Sequence, residues 1–197
     1  MPPSRCLSSN GTTSHIVESH LSVKTMTMGN YEAWSSDACY GLRIPSRLVD
    51  RILALCERSP DLETGGILVG YYTRKRDCAV VTAASAAPSD SQSGRCSFYR
   101  GVEDLQGWLT TLWRRARRRY YLGEWHYHPS GRPYPSGVDT AQFRANAEDK
   151  SYNCPEPIMV IVGAHPNNHW EVCSFVYVTG RGMLAMTRRW ETSDSTL

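Results

Sequence analysis

Long apolar runs are missing from this sequence. The longest stretch free of polar side chains, Ile158 to Ala164, falls far short of the roughly 20 residues a helix needs to cross a bilayer, so no membrane association is expected. The opening residues MPPSRCLSSN lack the apolar centre of a secretory signal, and a cytoplasmic location is expected. Cysteine is sparse: 7 are scattered over 197 residues with no C-x-x-C pair, an odd number that suits a reducing compartment and excludes a disulfide scaffold. No G-x-G-x-x-G or Walker A segment occurs, which argues against a doubly wound nucleotide-binding fold. Charge is nearly balanced as well, 22 Lys and Arg against 19 Asp and Glu, or +3. Five of those cations are Arg114, Arg115, Arg117, Arg118 and Arg119, so the remainder nets 17 − 19 = −2. The basicity is local. It could meet nucleic acid or an acidic protein face, yet a solvated helix end accounts for it equally well, and nucleic acid is not the expected partner.

What is present fits one globular domain with 41% hydrophobic and 21% charged residues. Residues 1–36, rich in Ser and Thr and without periodicity, are expected to form a tail outside the fold. The domain is expected over 37–190 and a short tail over 191–197. Pro45 opens an amphipathic helix whose apolar positions are Leu48, Val49, Ile52, Leu53 and Cys56. Strand-like runs follow Gly65-Gly66 and cover Cys78 to Ala84. A second helix is expected from Val102 to Ala116, with the arginine cluster as its last turns. YYLGEWHYH reads as a strand, PSGRPYPSG as a stiff turn-rich loop and VDTAQFRANAEDK as a third helix. Strand runs at Ile158 to Val162, Trp170 to Val178 and Met183 to Met186 complete a mixed α/β (α+β) domain, expected as a single curved β-sheet flanked by helices.

The segment GEWHYHPSGRPYPSGVD carries the chemistry. His126 and His128 alternate on one strand face with Cα atoms about 6.6 to 7 Å apart, near enough to share one ion through Zn–N bonds of about 2.0 to 2.1 Å. Beyond the loop, Ser136 and Asp139 fall in the first turn of a helix, where Asp139 could supply a third ligand. Two imidazoles and a carboxylate leave a fourth tetrahedral position open for water, the mark of a catalytic site. S-x-x-D is also a helix-capping pattern, and H-x-H alone is common in sheets. The capping account, however, says nothing about the histidines. Glu124 shares their strand parity and could act as a base or orient a ligand imidazole.

These residues resemble the JAB, MPN or JAMM zinc-peptidase family: H-x-H-P and P-S-x-x-D are matched by His126, His128, Pro129, Pro135, Ser136 and Asp139. An upstream Glu63-Thr64-Gly65-Gly66-Ile67-Leu68-Val69-Gly70 is similar to the E-x-G-G-x-L-x-G stretch of prokaryotic members. The resemblance covers about Cys39 to Trp190 and implies the JAB/MPN, cytidine-deaminase-like fold. It further implies a Zn2+ metalloisopeptidase that cuts after the C-terminal glycine of a ubiquitin-like protein. On that pattern His126, His128 and Asp139 hold the zinc, Glu63 is the general base and Ser136 supports the oxyanion. Within the family the chain is most similar to peptidases encoded beside E1-like and E2-like partners in bacterial antiphage operons. RadC-like proteins, sulfur-carrier peptidases and a non-catalytic MPN scaffold are the alternatives.

An extended substrate tail is expected to be gripped as an added strand. The grip is placed between Ser89 and Arg100 together with Trp125. Trp108, Trp113 and Trp170 are read as core or groove lining, and His165, His169 and Cys154 as structural.

Overall fold

The computed structural model describes residues 30–164 and 170–189. Its elements run β1 (Tyr31–Ser35), β2 (Gly41–Ile44), α1 (Ser46–Glu57), β3 (Thr64–Tyr72), β4 (Cys78–Ala84), β5 (Gln92–Ser93), β6 (Phe98–Tyr99), α2 (Leu105–Trp113), β7 (Tyr120–His128), α3 (Gly137–Glu148), β8 (Ile158–Ala164), β9 (Trp170–Val178) and β10 (Gly182–Arg189). β5 and β6 form a separate two-stranded hairpin. The other eight strands close in the order β1-β10-β9-β8-β7-β3-β4-β2. Two neighbours are parallel, β2 with β4 and β7 with β8. The β7–β8 crossover runs through α3, as parallel pairing requires a long connection.

The mixed α and β composition is as expected, and the single curved sheet flanked by helices is corrected to a closed barrel. The cause is β1, which pairs antiparallel with both β10 and β2 and so joins the two ends. Its residues lay within the expected tail, but Tyr31, Ala33 and Ser35 alternate into the interior. A five-residue strand is too short for its period to stand out from a polar context. Residues 1–29, 165–169 and 190–197, and with them the reading of His165 and His169, lie outside the described residues.

α1 supplies the expected stripe of Leu48, Val49, Ile52, Leu53 and Cys56, all buried. That stripe packs in one cluster with residues from all eight barrel strands, among them Leu68, Leu122, Trp125, Val160 and Val176. Burial of each large apolar side chain there is worth about 1.5 to 3 kcal/mol. Outside the barrel, α2 covers β3 and β7 through Leu112 against Ile67, Val69 and Tyr121. α3 covers β8 and β9 through Phe143 against Met159, Ile161, Phe175 and Tyr177. The outer face of β7 lies between those two helices.

α2 ends earlier than its stripe suggested. Its last residue is Trp113, with Arg114 at the C-cap, and the other arginines of the cluster lie in the turn leading to β7. Val102, counted in the stripe, precedes the helix and is exposed.

Candidate metal centre

The alternation of β7 is reset by one irregularity. Its register with β3 shifts between Gly123, opposite Leu68, and Tyr121, opposite Val69. Gly123 has φ +147°, and a Cβ there would lie 1.8 Å from the Ile158 carbonyl oxygen. Only glycine fits this bulge. Residues 121 and 124 would face opposite ways on an unbroken strand; here the Tyr121 hydroxyl donates to Glu124 Oε1 at 3.1 Å. Beyond the bulge Glu124, His126 and His128 point outward and all three are buried.

α3 brings the carboxylate. Ser136 is its N-cap, and both halves of the capping box are made: Asp139 N donates to Ser136 Oγ at 3.1 Å, and Ser136 N donates to Asp139 Oδ2 at 2.7 Å. The capping pattern and the ligand pattern are thus one geometry. The cap pins Asp139 so that Oδ1 lies 3.0 Å from His126 Nδ1, while Oδ2 lies 3.9 Å from His128 Nε2. One ligand atom from each of His126, His128 and Asp139 falls within 4.8 Å of the others. Two imidazoles and one carboxylate are the donor set of an open zinc site, and their convergence fits such an ion.

The opposite nitrogen of His126 lies 3.4 Å from Glu124 Oε2. A ligand imidazole is held in orientation by such a carboxylate. Glu124 is itself held on every side. Arg100 lies 3.0 Å from Oε1, Asn146 Nδ2 donates to the same oxygen at 3.2 Å, and Tyr121 completes the set. Burial pushes the Glu124 carboxyl up, but the His126 bond and the Arg100 charge outweigh it and hold it below the usual range. Fully bonded and ionised, Glu124 suits orientation better than proton transfer.

Burial alone would lower the His126 imidazole, yet its bonds to Asp139 and Glu124 lift it to about 9. Burial raises Asp139, and the bonds from His126 and Ser136 overcome that and hold it at about 2. Glu63 precedes β3, whose Gly65 is paired with His126. Burial raises its carboxyl, with the imidazolium fields of His128 and His126 opposing and the Asp139 charge adding to the rise. A carboxylate raised in this way is matched to general-base work.

The hairpin within the expected grip does border the site: the Phe98 ring meets His126 edge-on with centroids 5.7 Å apart. Gly65 makes room for it, since a Cβ there would come within 2.7 Å of Phe98. Trp125 is the correction. It is fully buried and faces the barrel, its indole N–H donating to the Ser85 carbonyl at 2.9 Å, so it lines no substrate groove. Arg100, Tyr121, Asn146 and Phe98 were not singled out from the sequence. Asn146 had a readable signal, lying seven residues after Asp139 on the same helix face. Arg100 and Phe98 come from a segment with no periodicity, and nothing local marks them.

A closed barrel with the apolar face of α1 in its core cluster and a His-His-Asp cluster on its outer face is the arrangement of a JAB-type domain. The family model described as prokaryotic homologs of the JAB domain matches residues 45–179, and the chain belongs to that family. It is 35% identical over 163 residues to a CD-NTase/cGAS isopeptidase of Enterobacter hormaechei subsp. hoffmannii (strain UCI 50), covering 83% of this chain and 87% of that protein. A probable metalloprotease, y4qB, of Sinorhizobium fredii (strain NBRC 101917 / NGR234) is 30% identical over 156 residues, 78% of this chain and 93% of that one. The solution structure of protein DSY2949 from Desulfitobacterium hafniense shares the fold with a TM-score of 0.55 at 19% identity, over 71% of this chain and 85% of that one.

Proposed function

We propose that the chain is a zinc-dependent isopeptidase that cleaves after the C-terminal glycine of a ubiquitin-like protein and reverses its conjugation in a bacterial antiphage pathway. The observation that carries this reading is the convergence of His126, His128 and Asp139 ligand atoms within 4.8 Å. The similarity to a protein named CD-NTase/cGAS isopeptidase supports the conjugate as substrate class. No helix among the described residues is long and apolar enough to cross a membrane. The conjugate is expected to be met in the cytoplasm. E1-like and E2-like proteins are the expected pathway partners.

Bound zinc would polarise the scissile carbonyl and bring the pKa of water to about 7. Glu63 takes the proton from the attacking water and delivers it to the departing lysine amine. Ser136, exposed at the helix start with its Oγ accepting from Asp139 N, keeps its own O–H free to donate to the developing oxyanion. Glu124 keeps the His126 ring in place. The hairpin strand carrying Phe98 flanks the site where an extended tail would lie.

Elemental analysis and cleavage of a ubiquitin-like fusion test this. Stoichiometric zinc is expected, lost in His126→Ala plus His128→Ala. Zinc retained in that double variant would remove the site. Undiminished cleavage of a fusion whose final glycine is changed to valine would turn the reading toward a general peptidase.

A further inference from the structure

A second concavity lies behind Glu124, on the side away from His126. It has a volume of about 540 Å³ and runs between α2, the β3 and β7 strands and the turn carrying Ser151 and Tyr152. Among the described residues that line it, Arg100 and Arg119 are the charged ones, and no Asp or Glu is among them. Arg100 is nine-tenths buried. Its terminal nitrogens are committed to Glu124, Tyr152 and the Gly101 carbonyl, but its Nε is buried without an acceptor. The Nε of Arg119 is buried and unpartnered as well. Two guanidinium groups in a wall that holds no carboxylate favour an anion in the cleft. The planar guanidinium fork fits a carboxylate or phosphate.

The rest of the wall decides between them. Ile67, Leu105, Leu109 and Trp113 line the same cleft. An apolar side chain would bury against them, and a phosphodiester backbone would have nothing to bury. Nearby, the Arg117 guanidinium lies over the Tyr71 ring at 4.9 Å and that of Arg118 over Trp113 at 5.0 Å. Arg118 thus covers an exposed aromatic plane on which a nucleic-acid base would stack. None of the five clustered arginines forms an ion pair among the described residues, so their field is available to draw in an acidic partner.

We infer that this cleft docks an acidic peptide segment of a protein partner, a carboxylate pairing with the Arg119 guanidinium in the cleft wall, beside Arg100, while a neighbouring apolar side chain fills the space beside Leu109. The docking needs no metal and is separate from the peptidase reading. It would lie against Arg100, the guanidinium that holds Glu124, which leaves the bound segment three contacts from His126.

Fluorescence anisotropy on the full chain without metal tests the inference. The probes are a dye-labelled peptide of alternating Asp and Leu, its Asn-for-Asp counterpart, and a single-stranded DNA oligonucleotide. The Asp peptide is expected to bind, with its Asn counterpart weaker by about tenfold or more, since truncating one side of a buried charge pair costs at least that much. Arg119→Met and Leu109→Asp should each weaken the Asp peptide by about tenfold or more. Arg114→Ala plus Arg115→Ala should cost less and act mainly through salt dependence. Leu109→Asp keeps the test decisive if Arg119→Met fails to fold. Equal peptide affinity in wild type and either cleft variant overturns the inference, as does absence of peptide binding up to about 1 mM. DNA binding that Arg119→Met weakens, with no peptide binding, replaces it with a nucleic-acid site.

Discussion

Along β7, Leu122, Trp125 and Tyr127 face the barrel interior and join its apolar cluster, whereas Glu124, His126 and His128 face outward into a buried polar one. The inner face is held by non-directional burial, which tolerates exchange of one apolar side chain for another of similar volume. The outer face buries charges, and these are tolerable only because each has a partner at bonding distance: Glu124 with Arg100, and His126 with Asp139. Replacing such pairs by apolar groups is often neutral or stabilising, while removing one member strands the other. Stability is therefore concentrated on one side of the strand and chemistry on the other.

The comparison is broken most severely at Glu63, beside the outer face. Glu63→Gln should lower kcat by about 10² to 10⁴ because the amide cannot accept a proton. Zinc content and melting temperature should stay at wild-type values, measured by elemental analysis and calorimetry. A variant that lost its metal would instead make Glu63 a ligand. On the inner face Trp125→Ala should cost about 3 to 5 kcal/mol in denaturant unfolding through the cavity it leaves. At temperatures where the variant remains folded its zinc content should be normal, and loss of zinc there would mean that the two faces are not independent.

The same division governs what could be read from the sequence. His126, His128, Ser136 and Asp139 lie in one short segment where strand period and helix capping set their directions, so their convergence followed from spacing. Glu63 sits more than sixty residues upstream, and only the resemblance selected it over Glu124. α1 was readable because five apolar positions repeat at helical spacing, and β7 because its limits coincide with an aromatic-rich run. Barrel closure was not, because β1 has five residues, and its pairing with β10 spans most of the chain. Trp125 was misplaced by adjacency: standing between two outward-facing residues, a strand residue must point inward.

A smaller effect tests the support of the outer face. Glu124→Gln should weaken zinc affinity by about 10 to 100-fold, the range seen when a carboxylate behind a ligand imidazole is lost. Competition against a chelating dye measures it. If kcat falls as far as in Glu63→Gln while affinity is unchanged, the two carboxylates have been given each other's roles.

The mildest signature is a proton, and its sign separates the faces. In the metal-free chain His126 is lifted to about 9 from its ordinary 6.5. A raised imidazole adds stability that is fully present below about pH 6.5 and is lost as pH rises through about 9. Asp139, held at about 2 against an ordinary 3.8, adds stability that is lost only as pH falls through that range. Metal-free protein should therefore lose stability from about pH 6.5 upward. Zinc requires the neutral imidazole, so its uptake should release a proton and tighten as pH rises over the same interval. Melting curves with and without zinc should draw apart with increasing pH, and isothermal titration in two buffers of different ionisation enthalpy should count the proton. Trp125→Ala, which removes no proton-binding group, should keep the wild-type slope at lower overall stability. His126→Ala should flatten it. A gap between loaded and metal-free melting that stays constant with pH would mean that the proton on His126 is not the one that metal displaces.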